Sequence, residues 1–71
     1  MIKYTIIFEK TGTGYSAYVP DLPGCIATGK TKAMTEKNIY DAVKFHLEGL
    51  KAQRIKFPVK RTDAESFVFT L

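Results

Sequence analysis

Apolar and polar residues alternate along the first ten positions. Ile2, Tyr4, Ile6 and Phe8 fall on one side, and Lys3, Thr5, Ile7 and Glu9 on the other. A period of two in β-branched and aromatic residues predicts a strand over Met1 to Lys10. Thr11-Gly12-Thr13-Gly14 reads as a turn, with two glycines where positive φ can be needed. Tyr15 to Val19 alternates again and is expected to pair back as a hairpin. Pro20-Asp21-Leu22-Pro23-Gly24 then interrupts, because each proline lacks an amide donor and pushes the residue before it into extended backbone. A third short strand is expected from Cys25 to Thr28, stopping at Gly29.

The period then changes. From Thr31 to about Gln53, Ile39, Ala42, Val43, Leu47 and Leu50 recur at helical spacing and form one apolar stripe. Lys37, Asp41, Lys44, Glu48 and Lys51 occupy the opposite side with alternating sign, marking it as the solvent face. Thr31 is placed to cap the first turn. Met34 stands where the reciprocal acid of a capping box would be, and Gly49 loosens the last turn. Beyond Pro58 a polar connection leads into Ser66 to Leu71, whose alternation predicts a final strand. The expected fold is a single α+β domain over residues 1–71 in the order βββαβ, an antiparallel sheet of about four strands with the helix on one face.

Composition adds one constraint. With 45% hydrophobic and 25% charged residues the 71-residue chain is that of a folded domain. A chain this short buries only roughly 60% of the surface its unfolded form exposes. Disulfides, a metal or a partner subunit usually stabilise such domains. Cys25 has no second cysteine to pair with, and Cys25 and His46 alone are too few for a structural zinc site. A homo-oligomer is therefore expected, a dimer or a tetramer. The N-terminus lacks a signal-peptide pattern, and no run of residues is long and apolar enough for a membrane span. With one unpaired thiol, the cytoplasm is the expected compartment.

Charge is unevenly spread. Of the net +4, the stretch from Lys30 to Arg61 holds nine Lys/Arg against three acids. Lys51, Arg54, Lys56, Lys60 and Arg61 follow one another with no acid between, a run that can meet nucleic-acid phosphates or simply be a solvated helix end and loop. The seven carboxylates show no converging set. Asp41 and Glu48 share a helix face, but it is the solvated one. His46, flanked by Val43, Leu47 and Leu50, reads as a core or rim residue, and Cys25 as a small packing residue behind a proline corner. Gly12 and Gly14 are not followed by the Lys-Ser/Thr and helix of a phosphate loop. No catalytic residue, metal or cofactor is expected.

Gly14 to Thr31, GYSAYVPDLPGCIATGKT, closely resembles the signature of HicB-type antitoxins: a glycine turn, an aromatic-small strand, a Val-Pro-Asp-Leu-Pro-Gly-Cys corner and a small strand ending in Gly-x-Thr. Asn38-Ile39, Ala42-Val43 and His46-Leu47-Glu48-Gly49-Leu50 are similar to the family's helix, and Lys3-Tyr4-Thr5-Ile6 to its first strand. The resemblance spans about residues 1–58. The proline-glycine corner is its specific part. Lys32, Ala33 and Met34 stand where that helix usually opens with acids.

The resemblance implies a partial ribonuclease-H-like fold without that fold's acidic site. It also implies an antitoxin that neutralises a HicA-like toxin, a small RNA-cleaving protein, by covering its catalytic surface. Many members carry a C-terminal DNA-binding module, which a chain ending at Leu71 is expected to lack. Partner contact would fall on Tyr18, Pro20, Asp21, Leu22, Pro23 and Gly24, although the last five also serve simply to turn the chain. Self-association would use Phe67, Val68 and Phe69. The alternative is an orphan domain of the same fold that binds nucleic acid through Lys51, Arg54, Lys56, Lys60 and Arg61, or that self-assembles, with no toxin partner.

Overall fold

Phe8, Ala17 and Ala27 stand side by side across three antiparallel strands, and the face they share carries the helix. The strands are β1 (Ile7–Lys10), β2 (Tyr15–Tyr18) and β3 (Ile26–Gly29), followed by α1 (Lys32–Ala52), in a computed structural model that describes residues 1–71. The sheet order is β1-β2-β3, so both β1 and β3 have a free edge. The chain is α+β in the order βββα. Ile7, Tyr18 and Ile26 form the neighbouring row and, because side chains alternate along a strand, project from the opposite face.

Strand β1 is shorter than the alternation of residues 1–10 suggests. Continuing its register sets Thr5 opposite Pro20, which has no N–H to give, and the ladder starts only at Ile7. Side-chain parity survives the missing ladder, because Tyr4, Ile6 and Phe8 all pack on the core. The hairpin glycines act by size rather than by positive φ. Neither Gly12 nor Gly14 has positive φ. A Cβ on Gly14 would lie 2.2 Å from the Gly29 carbonyl oxygen, so β2 and β3 approach closely only without a side chain there.

Helix α1 is bounded as the sequence indicates. Thr31 is extended, and its Oγ1 accepts from the Met34 amide at 3.1 Å. At the other end the Ile55 amide donates to Leu50 and the Arg54 amide to Lys51, which satisfies two of the orphan carbonyls. This closing pattern puts Arg54 at φ 58, a position glycine usually fills.

Six of 71 residues are buried: Ala17, Val19, Leu22, Cys25, Thr35 and Ile39. Thr35 is the polar member, and its hydroxyl donates to the Thr31 carbonyl at 2.8 Å. The helix packs on β3 and β2, leaving β1 beside it less covered. The expected fourth strand is not formed. No backbone-to-backbone hydrogen bond involves a residue beyond Ile55, and Ser66–Leu71 is exposed and in no strand. A strand exists only against a partner edge, and this segment meets none within its own chain.

Leu22 is the largest fully buried side chain. Leu22→Ala should cost about 2–5 kcal/mol in chemical denaturation, the range of a core leucine whose site cannot collapse. A loss below about 1 kcal/mol would show that the core does not depend on it.

Candidate functional site

The proline corner is two tight turns set end to end. The Leu22 amide donates to the Val19 carbonyl at 3.0 Å, and the Cys25 amide to the Leu22 carbonyl at 3.1 Å. Pro20 and Pro23 each take the second turn position, where φ near −65° is wanted and no donor is required. Gly24 follows Pro23 with φ 83, which a type II turn demands of its third residue. The Val19 amide, donating to the Cys25 carbonyl at 3.2 Å, closes the neck. The two turns push Leu22 fully into the core and leave Pro23 and Gly24 exposed.

Asp21 points the other way and holds the chain beyond the helix. Its Oδ2 accepts from the Arg61 and Thr62 amides, both at 3.0 Å, and its Oδ1 accepts from the Thr62 hydroxyl at 3.0 Å. The Thr62 carbonyl accepts from Thr5 Oγ1 at 2.8 Å, and the Pro58 carbonyl from the Tyr4 hydroxyl at 2.6 Å. The Thr62 amide, then the Arg61 amide, hold the Asp21 carboxyl below its ordinary range, with the Thr62 hydroxyl and Lys60 charge assisting. Burial, then the Asp21 charge, raises the Tyr4 phenol.

A groove of about 490 Å³ opens between the start of β3 and the second half of α1. Gly24, Cys25 and Ile26 line one wall, and Phe45, His46 and Gly49 the other. Phe45 on α1 is 79% exposed, and Ile26, at the free β3 edge and on the face away from the helix, is 63% exposed, so large apolar side chains flank the groove. Gly49 also lines the groove, and a Cβ there would meet nothing within 4 Å, so a larger side chain has room to enter it. Cys25 and His46 line the same groove without a hydrogen bond between them, and burial raises the Cys25 thiol, which makes it a poorer nucleophile. His, Cys, Asp and Glu side chains are nowhere gathered in groups of three or more that could hold a metal. No helix is long and apolar enough to cross a membrane.

Comparison with known proteins decides the family. The model described as HicB_like antitoxin of bacterial toxin-antitoxin system matches residues 4–68. The chain belongs to this HicB-like antitoxin family. A UPF0150 protein of Thermoplasma acidophilum is 43% identical, over 90% of this chain and 91% of its own length. A protein from the rep-hol intergenic region of Haemophilus phage HP1 is 32% identical over 96% of this chain, which spans only 57% of that relative. Among solved structures, a HicA3 and HicB3 toxin-antitoxin complex contains a chain of TM-score 0.68 and 35% identity, covering 84% of this chain and 70% of that one.

In this HicB-like chain the expected contact residues separate. Tyr18, Pro23 and Gly24 are exposed and Pro20 is half-buried, but Leu22 is core and Asp21 is occupied by Arg61 and Thr62. Lys51, Arg54, Lys56, Lys60 and Arg61 are all exposed, with no carboxylate paired to any of them. The groove with Ile26 and Phe45 is absent from the sequence expectation. Its signal was Phe45, a large aromatic lying outside the apolar helical stripe.

A depressed folded-state pKa at Asp21 means that its clasp contributes stability above the ordinary carboxylate value of 3.8, lost as pH falls through the lower folded value. In an NMR acid titration the Arg61 and Thr62 amides should shift together with a midpoint below 3.8, and Asp21→Asn should abolish that transition. A midpoint at the ordinary value would contradict the clasp.

Proposed function

We propose that this chain is the antitoxin of a type II toxin–antitoxin system. It binds a HicA-like toxin at the groove between β3 and α1 and neutralises it by contact rather than by catalysis. The observation that carries the reading is the exposed apolar pair Ile26 and Phe45 flanking the groove beside a free sheet edge, in a chain of an antitoxin family. Support for the partner comes from the solved relative, a HicB3 chain similar over most of this one and described in complex with HicA3. A free strand edge offers main-chain hydrogen bonds, and an adjoining apolar groove offers pockets for side chains. Interface energy usually concentrates in a few such anchors.

The same reading includes a partial ribonuclease-H-like fold, action in the cytoplasm and a homodimer as the working form. The corner's part is indirect: its turns set the start of β3 and the groove wall at Gly24 and Cys25, and only Pro23, Gly24 and Tyr18 are free to touch a partner. A second reading, nucleic-acid binding by Lys51, Arg54, Lys56, Lys60 and Arg61, is favoured by their common exposure and lack of paired carboxylates.

Co-expression with a HicA-like toxin tests the first reading. The wild type should restore growth and co-purify with the toxin. Phe45→Glu should weaken binding by roughly tenfold or more. Gly49→Leu should keep the free protein folded, because the position is helical and open, yet block the groove and the rescue. Rescue that survives both substitutions would overturn the groove. Absence of a complex, together with RNA or DNA binding that falls steeply with salt, would favour the second reading.

A further inference from the structure

A folded chain of 8.0 kDa normally exposes about 4,500 Å². This one exposes 6033 Å², and its Cα radius of gyration is 13.9 Å, where about 11 Å is usual for its length. The excess, about 1,500 Å², is within the range each partner contributes to a permanent homodimer. Much of it is contributed by an arm. Phe67, Val68 and Phe69 are 70%, 96% and 77% exposed, and the Phe67 and Phe69 rings stack on one side with centroids 6.4 Å apart. Alternation puts Leu71 on that side as well.

A matching vacancy exists elsewhere on the surface. The helix lies over β3 and β2, so beside β1 a second groove of about 270 Å³ opens, lined mainly by Ile2, Ile6, Tyr40, Val43 and Leu47. The β1 edge next to it is unpaired. Lys44 lines this groove and Lys3 stands next to Ile2, while Asp63 and Glu65 lead into the arm, so the charges complement. The Asp21 clasp fixes residues 61 and 62 to their own protomer. Beyond that point the arm makes no backbone-to-backbone hydrogen bond with its own chain.

We propose that two copies exchange arms: Phe67, Phe69 and Leu71 of each chain fill the groove between β1 and α1 of the other, and the arm backbone pairs with that chain's free β1 edge. Each sheet thereby gains a fourth strand, supplied in trans. The proposal rests on the homodimer reading above and names its contact. It does not depend on a toxin. The Asp21 clasp is the hinge of the exchange, and Thr62 is the last residue held at home.

The test uses the full chain alone. Light scattering at roughly 50 μM should give about twice the monomer mass, and Phe67→Ser with Phe69→Ser should yield monomers, weakening association by a hundredfold or more. Mixed isotope-labelled and unlabelled chains should show contacts from the Phe67 and Phe69 rings to the Val43 and Leu47 methyls between chains, a reading independent of whether the double variant folds. A monomeric wild type, a dimer indifferent to the double substitution, or the same contacts found only within one chain would each overturn arm exchange. Growth rescue by the double variant, measured separately, reports on toxin binding, so a failed exchange and a failed antitoxin reading are told apart.

Discussion

Two turns that share Leu22 set the rest of this molecule in place. By pointing Leu22 into a core of only five apolar side chains and Asp21 out of it, one short corner serves opposite ends of the chain. Inward, Leu22 anchors the cluster on which Ile39 closes from the helix. Outward, Asp21 fixes the connector that follows the helix and so decides where the last residues leave. Pro20 limits the β1–β2 ladder, and Gly24 turns the chain into β3. Replacing Leu22 would disturb both the core and the clasp, because the two belong to adjacent residues of one turn.

So small a core leaves much apolar surface outside it. Part of that surface lies in the last residues, Phe67 to Leu71, and part lines two grooves beside the free edges of a three-stranded sheet: Ile26 and Phe45 beside β3, and Ile2, Ile6 and Tyr40 beside β1. Unpaired strand edges next to apolar grooves attract other chains. On the proposed reading each edge takes a different partner, the toxin at β3 and a second copy at β1. The two can then bind together, and neither groove borrows residues from the other.

Much of the fold was legible because its signals are local. The helix and its Thr31 cap, the hairpin, and the side-chain parity of Tyr4, Ile6 and Phe8 follow from periodicity and from residues with one strong preference. The corner was legible too, although its residues were not all free for contact. Asp21 and Leu22 are each consumed by the fold, and nothing in local sequence reveals that Thr62 waits 41 positions away. The hairpin glycines looked like sites of positive φ, whereas Gly14 answers a close approach by Gly29. The segment Ser66–Leu71 carries a strand pattern without a strand, since pattern encodes the capacity to pair and the partner edge is a separate matter. The groove at Phe45 was not legible because a lone aromatic outside the apolar helical stripe carries no periodic signal.

Amide hydrogen exchange of the full chain, alone and with a HicA-like toxin, tests most directly that this protein works by offering its β3 edge and the adjoining helix. The account predicts that the toxin slows exchange at Ile26–Gly29 and across residues 45–53, with little change at β1. Unchanged exchange on adding a toxin that demonstrably binds, or protection confined to β1 and the arm, would contradict it.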